Sequence, residues 1–311
     1  MTLLRLGRGG RAVDIVGAVD QHITSEPYYL PTAAPSPQAG ESGDHSDGWE
    51  YFTPSDSVIS VWAPDIQHGG PPTGLLTRTL RHTAATNSPQ PAEFSRISTD
   101  ILGPIGLGTN RVRGEVLRPG RQISLIGAEL QVQRADGSYR TTATARAWQL
   151  HGSSSAGIAH APRPPMSPLP ADLRTHRGVM SDSAQGVDWG TTGFIGSTET
   201  AGVPGRVGSL DAVWIRPLAA LVANEATDFL DSLSVVADVA NGVGTALDPR
   251  IWTWMNTDTT LHLLRRPIGP WIAIDAELCP GPNGFGATFA DLYDEAGFIG
   301  RTAQTVLLSS R

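Results

Sequence analysis

A carboxylate opens the stretch Asn256-Thr257-Asp258-Thr259-Thr260-Leu261-His262-Leu263-Leu264. The stretch reads as a β-strand because Thr259, Leu261 and Leu263 alternate with Thr260, His262 and Leu264, and Pro267 stops it. Aspartate is depleted in strands, and a half-buried carboxylate costs free energy unless it is paired or hydrogen-bonded. Asp258 is therefore either the cap of a turn or a base held for chemistry. A second candidate is Gln67-His68-Gly69-Gly70-Pro71-Pro72, which runs into an apolar helical pattern at Leu75, Leu76 and Leu80. Such a loop delivers a helix N-terminus, whose free N–H groups can receive an oxyanion or a carbonyl. Glycines before a helix are also common in plain turns.

Other chemistry-bearing residues have a bland reading beside the functional one. His68 and His262 read first as structural hydrogen-bonding groups. Cys279 is the one cysteine, and a lone cysteine is usually a small buried hydrophobe rather than a nucleophile. Arg265 and Arg266 could grip phosphate oxygens with their guanidinium forks, or simply end a strand in solvent.

Composition removes whole classes of function. All 23 basic residues are arginine, so neither a Schiff-base lysine nor a lysine-containing phosphate loop is available. The net charge of −7 argues against non-specific binding to nucleic acid or to a membrane surface. No apolar run reaches the length of a membrane span, and residues 1–19 lack the pattern of a signal peptide. With one cysteine no intrachain disulfide forms, which suits a cytoplasmic location. There is no G-x-S-x-G elbow, no H-E-x-x-H and no cysteine cluster, and the eight histidines lack ligand spacing, so no metal site is expected.

Positioning these residues requires folded units on either side of two soft segments. Residues 1–48 include a Pro-, Ser-, Gly- and acid-rich run and are expected to form a flexible extension. Residues 49–150 hold one helix and then strands at 94–102, 111–117, 122–133 and 139–150. Residues 151–185 are Pro- and Ser-rich and read as a linker. Residues 186–311 hold a short strand at 212–215, a helix over 230–247, and strands at 257–264, 271–278, 285–293 and 300–308. That helix puts Leu233, Ala237, Ala240, Gly244 and Leu247 on one face, small enough for a sheet to approach closely.

The two halves repeat. Pro104-Ile105-Gly106 matches Pro267-Ile268-Gly269, Asp136-Gly137 matches Glu295-Ala296-Gly297, and Thr144-Ala145 matches Thr302-Ala303. The offset is about 160 residues throughout and the order is preserved, which indicates internal duplication. It sets Ser95 opposite Asp258 and Arg146 opposite Gln304.

A helix followed by antiparallel strands, duplicated in one chain, resembles the double hotdog fold. The motifs Gln67-His68-Gly69-Gly70-Pro71-Pro72, Ala237-Asp238-Val239-Ala240-Asn241-Gly242, Asn256-Thr257-Asp258 and Gly300-Arg301-Thr302-Ala303-Gln304 together resemble acyl-CoA thioesterases of the thioesterase II type, in a branch common in actinobacteria. The resemblance implies an α+β double hotdog, two antiparallel sheets each wrapped around a central helix. It implies hydrolysis of an acyl-CoA or related thioester by water, without a cofactor, and a role in lipid metabolism. By it the base is Asp258, the amide that fixes the water is Gln304, and the family's hydroxyl position falls at Cys279, a departure because a thiol is a weak donor and acceptor. His68, Gly69 and Gly70 would receive the oxyanion, and Arg265 and Arg266 the phosphates of coenzyme A. The partner is a small-molecule thioester, and hotdog sheet edges suggest a homo-oligomer by analogy. Two rivals stand beside hydrolysis: a hotdog hydratase or dehydratase, which usually carries an Asp–His pair on its helix where Asp238 has only Asn241 nearby, and an inactive acyl-thioester-binding protein.

Overall fold

The computed structural model describes residues 25–34, 48–87, 93–178, 190–204 and 211–311. In the first half β1 (Tyr29–Thr32) and β2 (Glu50–Pro54) precede helix α1 (Gly70–Asn87), and β3 (Phe94–Ile101), β4 (Asn110–Arg118), β5 (Ile123–Gln133) and β6 (Tyr139–Leu150) follow it. The second half begins with β7 (His176–Arg177), α2 (Gly193–Gly196), β8 (Thr198–Val203) and β9 (Ala212–Pro217). Then come α3 (Phe229–Ala237), α4 (Ala240–Val243), β10 (Trp252–Asn256), β11 (Asp258–Leu263), β12 (Ile272–Pro280), β13 (Phe285–Asp294) and β14 (Gly297–Ser310).

The strands pair in the order β1-β2-β4-β5-β6-β3-β11-β14-β13-β12-β9-β8-β7, with β10 on β14. The run β2-β4-β5-β6-β3 recurs as β9-β12-β13-β14-β11, so the halves share one topology. They join along β3 and β11, where Thr259 faces Thr99 and the hydroxyls of Ser98 and Thr260 lie 2.9 Å apart. Helix α1 packs on β4, β5 and β6, α3 packs on β9 and β12, and the two helices pack on each other. This is the double hotdog arrangement.

Local sequence explains the helices. Pro71 and Pro72 occupy the first turn of α1, where a missing N–H costs nothing, and Leu75, Leu76, Leu80 and Ala84 bury its inner face. Gly74 is needed for the close approach of α3, since a Cβ there would stand 2.4 Å from Val235 Cγ2. At the other helix Asp228 is the N-cap, its carboxylate accepting the Leu230 N–H at 2.8 Å.

Three expectations are corrected. The helix expected over 230–247 ends at Ala237 and resumes only as the short α4. Side chains from three strands bind the chain at Asp238, described below, and the sequence of the helix itself carries no sign of them. The flexible extension over 1–48 lies largely outside the described residues, but 25–34 are packed: Tyr28 and Tyr29 are fully buried, and their N–H groups donate to the carbonyls of Ala220 and Leu221. Likewise 151–178 is no free linker. Met166 is buried beside Trp214 and Tyr293, and Trp214 Nε1 donates to the Pro168 carbonyl at 2.9 Å; the remainder of that linker, 179–185, lies outside the described residues.

Candidate active site

The break after α3 leaves Asp238 as its C-cap, with a carboxylate 1% exposed. A buried carboxylate must be hydrogen-bonded to be tolerated, and this one is held from two sides. Asn256 Nδ2, at the end of β10, donates to Oδ1 at 2.7 Å, and the Thr259 hydroxyl on β11 lies 3.3 Å from the same oxygen. The Asp238 carbonyl, orphaned by the end of the helix, accepts Gln304 Nε2 from β14 at 2.9 Å. Gln304 Nε2 also donates to Thr259 Oγ1 at 3.0 Å. Asn256 is in turn touched by Asn241 of α4, whose Nδ2 donates to Asn256 Oδ1 at 3.3 Å.

The other carboxylate oxygen, Oδ2, faces the loop before α1. His68 Nδ1 lies 3.2 Å from Oδ2 and also 3.2 Å from the Gly70 N–H. These contacts exclude one another: with a proton Nδ1 donates to Asp238, and without one it accepts from Gly70. Phe194 of α2 stacks on the imidazole with ring centroids 4.1 Å apart. A Cβ on Gly69 would stand 2.8 Å from Asp238 Oδ2, so only glycine lets this loop approach the carboxylate. Thus one half supplies His68 and Gly69, and the other supplies Asp238, Asn256, Thr259 and Gln304.

Asp238, His68, Gly69 and Asn256 open into a cavity of about 450 Å³. Its wall is mainly apolar, with Ile66, Ile101, Ile105, Val213, Ile215 and Val243 among the lining residues. Trp62 and Trp254 also line it and meet edge to face, ring centroids 5.3 Å apart. No helix among the described residues is long and apolar enough to cross a membrane, and no group of three or more His, Cys, Asp or Glu among them could hold a metal ion.

The residues expected from sequence are only partly brought together. Gln304 and the His68-Gly69 loop converge on one site. Asp258 does not: it is one residue out of phase with the inward Thr259, Leu261 and Leu263, and its Oδ1 accepts the Thr305 N–H at 2.9 Å on the outer face. Cys279 is exposed on β12, on the face opposite buried Leu278, and the hydroxyl that contacts Asp238 and Gln304 belongs to Thr259. Gly70 serves packing, because its N–H faces His68 Nδ1 and a Cβ would stand 2.5 Å from the Val235 carbonyl. Arg265 forms a two-nitrogen fork on Asp294, and Arg266 Nη2 lies 2.7 Å from both oxygens of Asp228, so both are committed within the protein rather than waiting for phosphate. Asp238, Asn256 and Thr259 are the additions. The alternation on β11 signals Thr259 as the inward residue, and a carboxylate inside an apolar helical stretch signals Asp238.

The fold and this site define a hotdog enzyme with a buried carboxylate at an apolar cavity, and comparison gives its family. Residues 58–150 match the model of the acyl-CoA thioesterase N-terminal domain, and residues 170–308 match that of the acyl-CoA thioesterase C-terminal domain. The chain belongs to the acyl-CoA thioesterase family and is a thioester hydrolase. Solved structures share the fold at low identity. A hot dog fold protein of unknown function from Alicyclobacillus acidocaldarius is 13% identical, with TM-score 0.62 over 86% of this chain and 96% of that one. A presumed thioesterase II from Thermobifida fusca is 15% identical, with TM-score 0.61 over 85% and 94%. Acyl-CoA thioesterase II TesB2 from Mycobacterium marinum is 14% identical, with TM-score 0.57 over 86% and 96%. No curated protein matches the sequence.

Proposed function

We propose that the chain hydrolyses acyl-CoA thioesters with an apolar acyl group, using water activated by Asp238. The observation that carries this reading is the Asp238 carboxylate, buried at the wall of an apolar cavity with Oδ1 occupied by Asn256 and Thr259 and Oδ2 turned toward Gly69. Water held at Oδ2 gives a proton to the carboxylate as its oxygen bonds to the thioester carbon. The carbonyl oxygen becomes an oxyanion, for which the Gly69 N–H at the helix entry is the donor proposed. Collapse of the tetrahedral intermediate breaks the carbon–sulfur bond. The proton held by Asp238 then passes to the departing thiolate, leaving a free acid and a thiol. Gln304 acts behind the carboxylate, fixing Thr259 and the end of α3, and does not touch the water.

The same geometry gives the dehydratase rival a specific footing, since His68 places an imidazole 3.2 Å from Asp238 although the helix itself carries no histidine. One experiment separates the two. Purified protein is supplied with acyl-CoAs of several chain lengths while free thiol is followed colorimetrically and the enoyl absorbance is recorded. Thiol release is expected, and Asp238→Asn should lower kcat roughly 100-fold, the scale of a lost general base. Enoyl absorbance without thiol would transfer the site to the dehydratase. Parental hydrolysis by the Asn variant would remove Asp238 from the mechanism.

A further inference from the structure

On the inner face of the second sheet, Thr259 of β11, Gln304 of β14, Thr288 of β13 and Leu278 of β12 form one row across four strands. Gln304 and Thr288 are directly paired in the β13–β14 register. Both are buried, at 2% and 0% exposure. The Gln304 amide uses its nitrogen on Asp238 and Thr259, while its Oε1 has no hydrogen-bond partner. The Thr288 hydroxyl also has none. Two orphaned polar atoms thus sit on facing residues whose Cβ atoms are about 5 Å apart. Leu278, on the other side of Thr288, offers no polar group. Leaving each atom unpaired in the core is costly, and a hydroxyl turned toward Oε1 satisfies both at once.

We propose that Thr288 is a positioning residue for Gln304: its O–H donates to Oε1, directly or through one water, and so fixes which end of the amide faces Asp238. A flipped amide would present oxygen to the Asp238 carbonyl, acceptor against acceptor. Thr288 thereby holds the nitrogen inward, the end of α3 in place and the Asp238 carboxylate aimed. The inference rests on the hydrolytic reading above for its kinetic consequence, and on geometry alone for the amide contact.

The test is built on Thr288→Val, which removes the hydroxyl and keeps the shape. It should lower kcat about tenfold with KM unchanged. Thr288→Ser, which restores the hydroxyl, should return kcat to within about twofold of the parent. Thr302→Val is the control: Thr302 is another buried hydroxyl without a partner, two residues from Gln304 on β14 but between Leu261 and Ala290, and its loss should leave kcat unchanged. In a Gln304→Ala background Thr288→Val should add no further loss. Parental kcat in Thr288→Val, or full additivity with Gln304→Ala, overturns the proposal. A readout independent of turnover separates its failure from failure of the hydrolytic reading. The Gln304 side-chain amide resonance, assigned from the Gln304→Ala spectrum, should move in Thr288→Val and in no comparable way in Thr302→Val; an unmoved resonance overturns the proposal even if the parent hydrolyses no thioester. Should Thr288→Val fail to fold, Thr288→Ala against Thr288→Ser carries the same comparison.

Discussion

At Asp238 each carboxylate oxygen has a distinct environment: Oδ1 is filled by donors from β10 and β11, and Oδ2 faces the loop that carries His68 and Gly69. Asp258, twenty residues on, has neither the burial nor the neighbours. Its carboxylate caps the Thr305 N–H on the outer face, where a substrate in the cavity cannot reach it. Asp258→Asn keeps an acceptor for that N–H, so thiol release by this variant should stay within about twofold of the parent. Cys279→Ala, on the same outer face, should behave alike. Loss of most activity in either variant, with the fold intact by circular dichroism, would restore that residue to the mechanism. The position of Gln304 on a strand and of His68-Gly69 at a helix entry was legible from their motifs, whereas Gly70 packs on α3 and Gln304 bonds the Asp238 carbonyl and Thr259. Asp258 was misplaced by a single step of the strand period, the smallest error that turns a side chain to the other face. Asp238 stood in a quoted motif, yet its role depends on Asn256, Thr259 and Gln304 meeting it in space, and no spacing along the chain encodes that meeting.

Between the two central helices the contact is close and partly ionic. Gly70 and Gly74 let α1 approach Val235 of α3, and Arg81 of α1 forms a fork on Asp231 of α3 at 2.6 and 3.1 Å. Burial pushes the Asp231 carboxyl up to about 6, with Arg81 opposing and only partly offsetting it. A folded-state pKa above the unfolded value means that protonation favours the folded form. This contribution is complete below the unfolded carboxylate range and is lost as pH rises through about 6. Between pH 7 and pH 5, then, Asp231 should add stability as the solution becomes more acid. Asp231→Asn cannot titrate and should remove that component, seen as a smaller rise or a larger fall in Tm from pH 7 to pH 5 than in the parent. Identical pH dependence in parent and variant would show that Asp231 titrates outside this window. Most strands were legible from alternation alone, β6 over its full length of Tyr139–Leu150. The strands β2, β8 and β10 were not among them, and two further features escaped the pattern for a physical reason. The end of α3 is set by bonds from distant strands, and Tyr28-Tyr29 lies beside a Pro- and Ser-rich run that masks how deeply it is buried.

Across the whole molecule, duplication supplies two copies of one topology but the requirements of the site are met once. The nine residues of α3 end at an aspartate that three strands hold, two by its carboxylate and one by its backbone carbonyl, whereas α1 runs unbroken for 18 residues. The entry to α1 is open glycine beside the cavity, whereas the entry to α3 is stopped by Asp228, which caps Leu230 and is gripped by Arg266. An oxyanion could not share that helix end with a carboxylate already on it. Arg146, which the internal repeat set opposite Gln304, is exposed on the outer face, so the match is one residue out; its inward neighbours Ala145 and Ala147 are buried and carry no amide. The first half therefore lacks the carboxylate and the amide, the second half has no open helix entry to offer it, and the first gives its own His68-Gly69 loop to the site of the second. Each chain should bind one acyl-CoA. A non-hydrolysable thioether analogue titrated into the Asp238→Asn variant by calorimetry should saturate at one per chain, and the His68→Ala variant, altered only in the first half, should bind it more weakly. Saturation at two equivalent sites per chain, or binding indifferent to His68, would mean that each half holds a ligand on its own.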